Sequence, residues 1–165
     1  NGTTGHLHVL RMNNYFDLSG VENATKGFRL GEHADYVGFT MLNAQDVRGL
    51  QVKVDGRWYG VMKSNPDVFL VNSGLAIKMV TNGYWRASSH RVAATTTDRR
   101  ISLALFSAPD PETIIEPLAG CKVCNAHRYQ YPRVSVNEHL KQLFRAASVQ
   151  SEEEMAESTS IVGKL

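Results

Sequence analysis

Between two runs of strand-like residues, Gln51-Val52-Lys53-Val54 and Trp58-Tyr59-Gly60-Val61, stands the dipeptide Asp55-Gly56. Both of its positions tolerate positive φ, as a type I′ turn requires, so this stretch reads as a tight β-hairpin. Other segments carry the same signature. Leu7, Val9 and Arg11 alternate with His8, Leu10 and Met12, and apolar runs of strand length lie at 28–30, 39–42, 68–71, 89–93 and 101–106. About eight short strands separated by turn residues predict an all-β sandwich or jelly roll.

Two stretches have helical character. The first is 75–80, ended by Asn82-Gly83. The second, 135–147, opens on Ser135 with Glu138 three residues later, a capping-box pattern, and sets Leu140, Leu143 and Phe144 on one face. Ser151-Glu152-Glu153-Glu154 begins a polar, serine-rich tail that either extends the helix or stays disordered. The expected organisation is one domain over 1–147 and a tail over 148–165.

At 165 residues, 42% hydrophobic and 21% charged, the chain suits a single soluble globular domain with a real core. No apolar run approaches the roughly 18 residues of a membrane span. A net charge of +2 provides no broad basic surface, so neither nucleic acid nor a membrane is an expected partner. The chain starts at Asn1 without a signal or transit segment and reads as the C-terminal part of a longer protein. Two cysteines in the whole chain fit a reducing compartment, and a cytoplasmic location is expected. Gly163-Lys164-Leu165 is close to a Ser-Lys-Leu ending without matching it.

His33 and Asp35 form a His-x-Asp pair, and His90 follows 55 residues after Asp35. That is the spacing of a 2-His-1-carboxylate iron site, whose opposite face stays open for a co-substrate and O₂. A strand presenting His33 and the turn after it presenting Asp35 can aim at one point, with His90 arriving from a strand distant in sequence but adjacent in a rolled sheet. Arg100-Ile101-Ser102 is a second candidate site. An inward arginine can hold a carboxylate through two charge-assisted hydrogen bonds, with Ser102 on the same strand face and Arg99 on the other.

Cys121-Lys122-Val123-Cys124 has the spacing of a redox couple or half a zinc knuckle. With His127 as one further ligand, a structural zinc site is still one ligand short, which favours two thiols in a loop. His6, His8, His127 and His139 lack the spacing and context of ligands.

Asp35-Tyr36-Val37-Gly38-Phe39-Thr40, Gly49-Leu50-Gln51-Val52, Asp55-Gly56-Arg57-Trp58, Asn72-Ser73-Gly74, Thr81-Asn82-Gly83, Ser89-His90-Arg91-Val92 and Arg100-Ile101-Ser102 occur in this order. From about Val9 to about Leu140 the chain resembles the iron(II)- and 2-oxoglutarate-dependent dioxygenases of the isopenicillin N synthase-like type. The resemblance implies a double-stranded β-helix, or jelly roll, with a C-terminal helix, preceded in the full-length protein by a helical region. It implies Fe(II) held by His33, Asp35 and His90, and 2-oxoglutarate anchored through its far carboxylate by Arg100 and Ser102. It also implies that Tyr15 of Asn13-Asn14-Tyr15 assists the co-substrate, and leaves Tyr36 and Phe39 as candidates for the substrate mouth. The implied activity is hydroxylation or desaturation of a small organic molecule by O₂, with release of succinate and CO₂. Arg48 and Leu75 depart from the family pattern, where glycine and an acidic residue are common; they bear on substrate class. Two alternatives stay open: a same-fold Fe(II) oxidase that does not use 2-oxoglutarate, like isopenicillin N synthase or aminocyclopropane-carboxylate oxidase, and a non-catalytic binding fragment.

Overall fold

The computed structural model describes residues 6–44, 47–62, 67–121 and 131–162. The strands are β1 (Leu7–Tyr15), β2 (Phe28–His33), β3 (Phe39–Ala44), β4 (Leu50–Val54), β5 (Arg57–Gly60) and β6 (Leu70–Ser73). After the short helix α1 (Leu75–Val80) come β7 (His90–Ala93), β8 (Arg100–Ala108), the two-residue pair β9 (Ile114–Ile115) and β10 (Val134–Ser135), and helix α2 (Val136–Val162). Asp55 and Gly56 both have positive φ, 46° and 79°, and join β4 to β5 as a type I′ turn would.

Eight of these strands form two antiparallel four-stranded sheets, ordered β1-β8-β3-β6 and β2-β7-β4-β5. Consecutive strands β2 and β3 belong to different sheets, so residues 34–38 carry the chain across from one to the other. This is the jelly-roll arrangement the strand pattern predicts. Period-two alternation sorts the faces: on β8, Arg100, Ser102 and Ala104 are buried while Leu103 is exposed, and on β3 Thr40 and Ala44 are buried while Phe39 and Met41 are exposed.

Packed apolar contacts gather at one end of the sandwich. Ala76 and Met79 of α1, Ala108 at the end of β8, Ile115 and Val136 form the buried cluster, with Val37, Val80 and Leu140 packed against it. The space between the sheets is instead a cavity of about 1530 Å³. One end is thus closed by apolar packing, and the interior is left for a site.

The stop of α1 and the start of α2 follow from local chemistry. Gly83 N–H donates to Lys78 O over 2.7 Å from a positive φ of 83°, which ends α1 at Asn82-Gly83 as the sequence predicts. Ser135 Oγ accepts from Glu138 N–H at 3.2 Å and caps α2. The helix does not end at Ala147 but runs to Val162, because Glu and Ala favour helix and no Gly or Pro interrupts 148–162. Cys121 is disulfide-bonded, which corrects the reading of two free thiols; Cys124 and His127 lie outside the described residues. Among the described residues no helix is long and apolar enough to cross a membrane.

Candidate metal centre

His33 ends β2, His90 begins β7, and the two are cross-strand partners. That pairing depends on two irregularities. From Phe28↔Ala93 through Leu30↔Val92 to His33↔His90, β2 carries one extra residue at each step; in unbroken register Gly31 would face His90. The bulges bring the imidazoles together, with ring centroids 4.2 Å apart and planes tilted by 55°. Glu32 and Ser89, each immediately before a histidine, brace this end: Glu32 Oε1 accepts from Ser89 Oγ at 2.8 Å and from Lys53 Nζ at 2.9 Å. The Lys53 hydrogen bond, followed by that of Ser89, holds the Glu32 carboxyl below its ordinary pKa.

Each histidine is oriented in the same way. His33 Nδ1 lies 2.9 Å from Gly31 O, and His90 Nδ1 lies 2.9 Å from Ser88 O. A carbonyl only accepts, so each Nδ1 carries a proton, and in the neutral ring that leaves the Nε2 lone pair for a metal. Both Nε2 atoms stand 3.8 Å from one atom, Oδ1 of Asp35. The other carboxylate oxygen is occupied: Oδ2 accepts from Thr40 Oγ1 at 2.6 Å and from Asn72 Nδ2 at 2.8 Å. Asp35 sits on the crossover between the sheets, its side chain 5% exposed, while those of His90 and His33 are 14% and 35% exposed.

The three donor atoms lie within 4.8 Å of one another. Metal bonds of about 2.0–2.2 Å, typical of N and O ligands to a zinc-sized ion, meet across such a gap with little displacement of any donor. Two imidazoles and one carboxylate are the donor set of non-haem iron with open positions. The residues therefore fit such an ion.

Along the same cavity, β1 and β8 pair so that Tyr15 faces Arg100 and Asn13 faces Ser102. Arg100 is 2% exposed, and its Nη1 donates to Ser102 Oγ at 3.4 Å. Its guanidinium carbon lies 5.2 Å from the Tyr15 ring centroid. Burial pulls the Arg100 pKa below the ordinary guanidinium value, with Tyr15 acting in the other direction. Nε has no hydrogen-bond partner, and no ion pair among the described residues includes Arg100. Arg99, by contrast, is exposed and donates to Asn14 Oδ1 at 2.9 Å, so the strand faces fall as the alternation predicts. A buried guanidinium without a carboxylate is costly and calls for an anion from outside the chain.

A family model described as the 2OG-Fe(II) oxygenase superfamily matches residues 8–109, which contain all of these groups. The chain belongs to this superfamily. Among curated members, thebaine 6-O-demethylase of Papaver somniferum is 36% identical over 113 residues, which cover 68% of this chain and 30% of that protein. Among solved superfamily structures, JOX2 in complex with 2OG, Fe and JA has a TM-score of 0.70 at 31% identity, covering 83% of this chain and 39% of that one. The fold is also that of a full-length Neurospora crassa protein solved in complex with alpha-KG, with a TM-score of 0.74 at 24% identity over 85% of this chain and 44% of that one. The chain thus spans less than half the length of these relatives.

The structure brings His33, Asp35, His90, Arg100, Ser102 and Tyr15 to one cavity. Tyr36 also lines it. Phe39 does not: it points outward from β3 and packs edge-on against Trp85, with centroids 6.3 Å apart, because the parity that buries Thr40 turns its neighbour out. Three residues were not singled out by sequence reasoning: Thr40, Asn72 and His139. A polar residue on the inward parity of β3 is the available signal for Thr40, and Asn72 stands in the motif Asn72-Ser73-Gly74; nothing local marks His139.

Proposed function

We propose that this chain is the catalytic jelly roll of an Fe(II)- and 2-oxoglutarate-dependent dioxygenase acting on a small organic molecule. One observation carries the reading: a cluster of two imidazoles and a carboxylate shares a cavity with a buried guanidinium that has no carboxylate of its own. Nε2 of His33, Nε2 of His90 and Oδ1 of Asp35 would hold the iron. When bound, the iron supplies oxidation by O₂, coupling decarboxylation of 2-oxoglutarate to succinate and CO₂ with removal of hydrogen from the substrate.

The chain's own groups bind and orient. Arg100 would grip the far carboxylate of 2-oxoglutarate through its two-pronged face, with Ser102 and Tyr15 beside it. Thr40 and Asn72 keep one oxygen of Asp35 engaged, leaving the other for the metal. Leu42, Val52, Phe106 and Leu140 give the cavity apolar walls, which suits a largely apolar substrate and limits water. Hydroxylation of an O-methyl carbon would give a hemiacetal that collapses to formaldehyde and a free hydroxyl on the substrate, the demethylation named for the Papaver somniferum relative; desaturation uses the same first hydrogen removal.

Anaerobic titration with Fe(II), with and without 2-oxoglutarate, tests this reading. The parent is expected to bind one iron, and His33→Ala, Asp35→Ala and His90→Ala are each expected to lose it. Unchanged iron affinity in the His33 and Asp35 variants would refute the ligand assignment, and iron binding that ignores 2-oxoglutarate would refute the co-substrate.

A further inference from the structure

Four consecutive backbone carbonyls around the metal-ligand turn are all held. Asp35 O accepts from Leu75 N–H at 2.8 Å, Val37 O from Ala76 N–H at 3.3 Å and Gly38 O from Gly74 N–H at 2.8 Å, all from the first residues of α1 and its cap. The approach is so close that a β-carbon on Gly74 would run into the carbonyl oxygens of both Val37 and Asp35. Tyr36 O, the second of the four, is reached from the other side. It lies 3.1 Å from Nε2 of His139, a residue of α2 that is 103 positions away in sequence and 7% exposed.

The same helix makes a second contact with the same residue, since the Phe144 ring meets the Tyr36 ring edge-on with centroids 5.5 Å apart. The acceptor is a carbonyl, so the His139 proton sits on Nε2. Burial, opposed by that hydrogen bond, keeps the ring's pKa below its ordinary value and hence neutral near pH 7.

We infer that His139 is a positioning residue for Asp35. By holding the carbonyl of the residue that follows Asp35, it fixes the local backbone and with it the direction in which Oδ1 faces the two histidines. It touches neither metal nor substrate. The hydrogen bond from His139 ties the C-terminal helix to the aim of one ligand, while the bonds from α1 hold the flanking carbonyls. This inference rests on the metal-site reading above.

The test uses Co(II) as the probe and reads its visible absorption during titration of the folded chain. His139→Leu, which keeps bulk but removes the donor, is expected to weaken Co(II) binding by about tenfold or more, the range typical when a group that orients a ligand is lost. His139→Gln retains an N–H donor and is expected to recover most of the affinity and the parent's band shape. Val136→Ala is the control: Val136 is fully buried at the start of α2, so its truncation loosens the helix without removing the donor. It is expected to lower the melting temperature and leave Co(II) affinity near the parent's at temperatures well below the melt. If His139→Leu binds Co(II) like the parent, or if Val136→Ala loses as much affinity for the same loss of melting temperature, the inference is overturned while the metal site stands. If the parent itself binds no Co(II), the metal-site reading falls first and takes this inference with it.

Discussion

Thr40 donates its hydroxyl to Oδ2 of Asp35 over 2.6 Å, and both residues are buried. With Asn72 on the same oxygen, the carboxylate has one engaged and one available atom. Replacing Thr40 with valine preserves shape and removes the donor. Iron affinity is expected to fall by about ten- to a hundredfold, and stability of the metal-free chain by about 1–2 kcal/mol. Anaerobic iron titration beside chemical denaturation separates the two effects; an unaltered iron affinity would remove Thr40 from the site.

Arg100 and Arg99 are adjacent in sequence and opposite in environment. Lysine offers a single point charge in place of the guanidinium fork, so Arg100→Lys is expected to weaken 2-oxoglutarate binding by about tenfold or more. Arg99→Lys, on the exposed face, should change it little. Titration of iron-loaded protein with 2-oxoglutarate under anaerobic conditions compares them, and a larger loss at Arg99 would invert the assigned strand face.

The buried imidazole of His139 gives the metal-free protein a pH signature. Its pKa is lowered on folding, so the unfolded chain takes up the proton first as the pH falls below the ordinary value of 6.5. More protons bound in the unfolded state means that stability decreases as pH decreases. The contribution is full above 6.5 and is lost toward the lower folded value. Denaturant midpoints measured from about pH 7.5 down to about 5.5, a window spanning the histidine range, should therefore fall more steeply for the parent than for His139→Gln; parallel curves would contradict this. Glu32 and Asp17, also lowered, act further into acid, where carboxylates titrate.

On the β2-β7-β4-β5 sheet Arg91 is held between two aromatic rings, its guanidinium carbon 4.4 Å from the Phe28 centroid and 3.9 Å from that of Trp58, with Nε donating to Gln51 at 2.7 Å. The stack joins all four strands. Arg91→Ala is expected to cost about 1–2 kcal/mol, which is about 2–8 °C in melting temperature for a chain of this size. A melt indistinguishable from the parent's would show that the stack contributes nothing.

Much of this was legible in the sequence because it depends on local chemistry. Asp55-Gly56 fixes its hairpin through positive φ, Ser135 caps α2, and the parity of β8 separates Arg100 from Arg99. His33, Asp35 and His90 could be picked out because their residue types and spacing match an iron-binding pattern. What was hidden depends on packing between distant segments. No pattern around His139 reveals that it meets Tyr36, and the aromatic character that makes Phe39 a candidate for the cavity mouth says nothing about which side of β3 it takes. The length of α2 stays open in the sequence because its last part is polar, with no apolar face to mark a helix, while intrinsic helix preference with no breaker present carries it to Val162.

The two bulges in β2 make the histidine pair a gauge of strand alignment. Apolar burial specifies register only weakly in a strand as exposed, charged and glycine-containing as β2, and a slip of one residue turns every side chain of the strand to its opposite face. Here such a slip would also separate His33 from His90, leaving a form blind to the metal. An ion that binds only the aligned form stabilises it by mass action. The iron site would then act as a proofreader of the fold as well as a seat for chemistry.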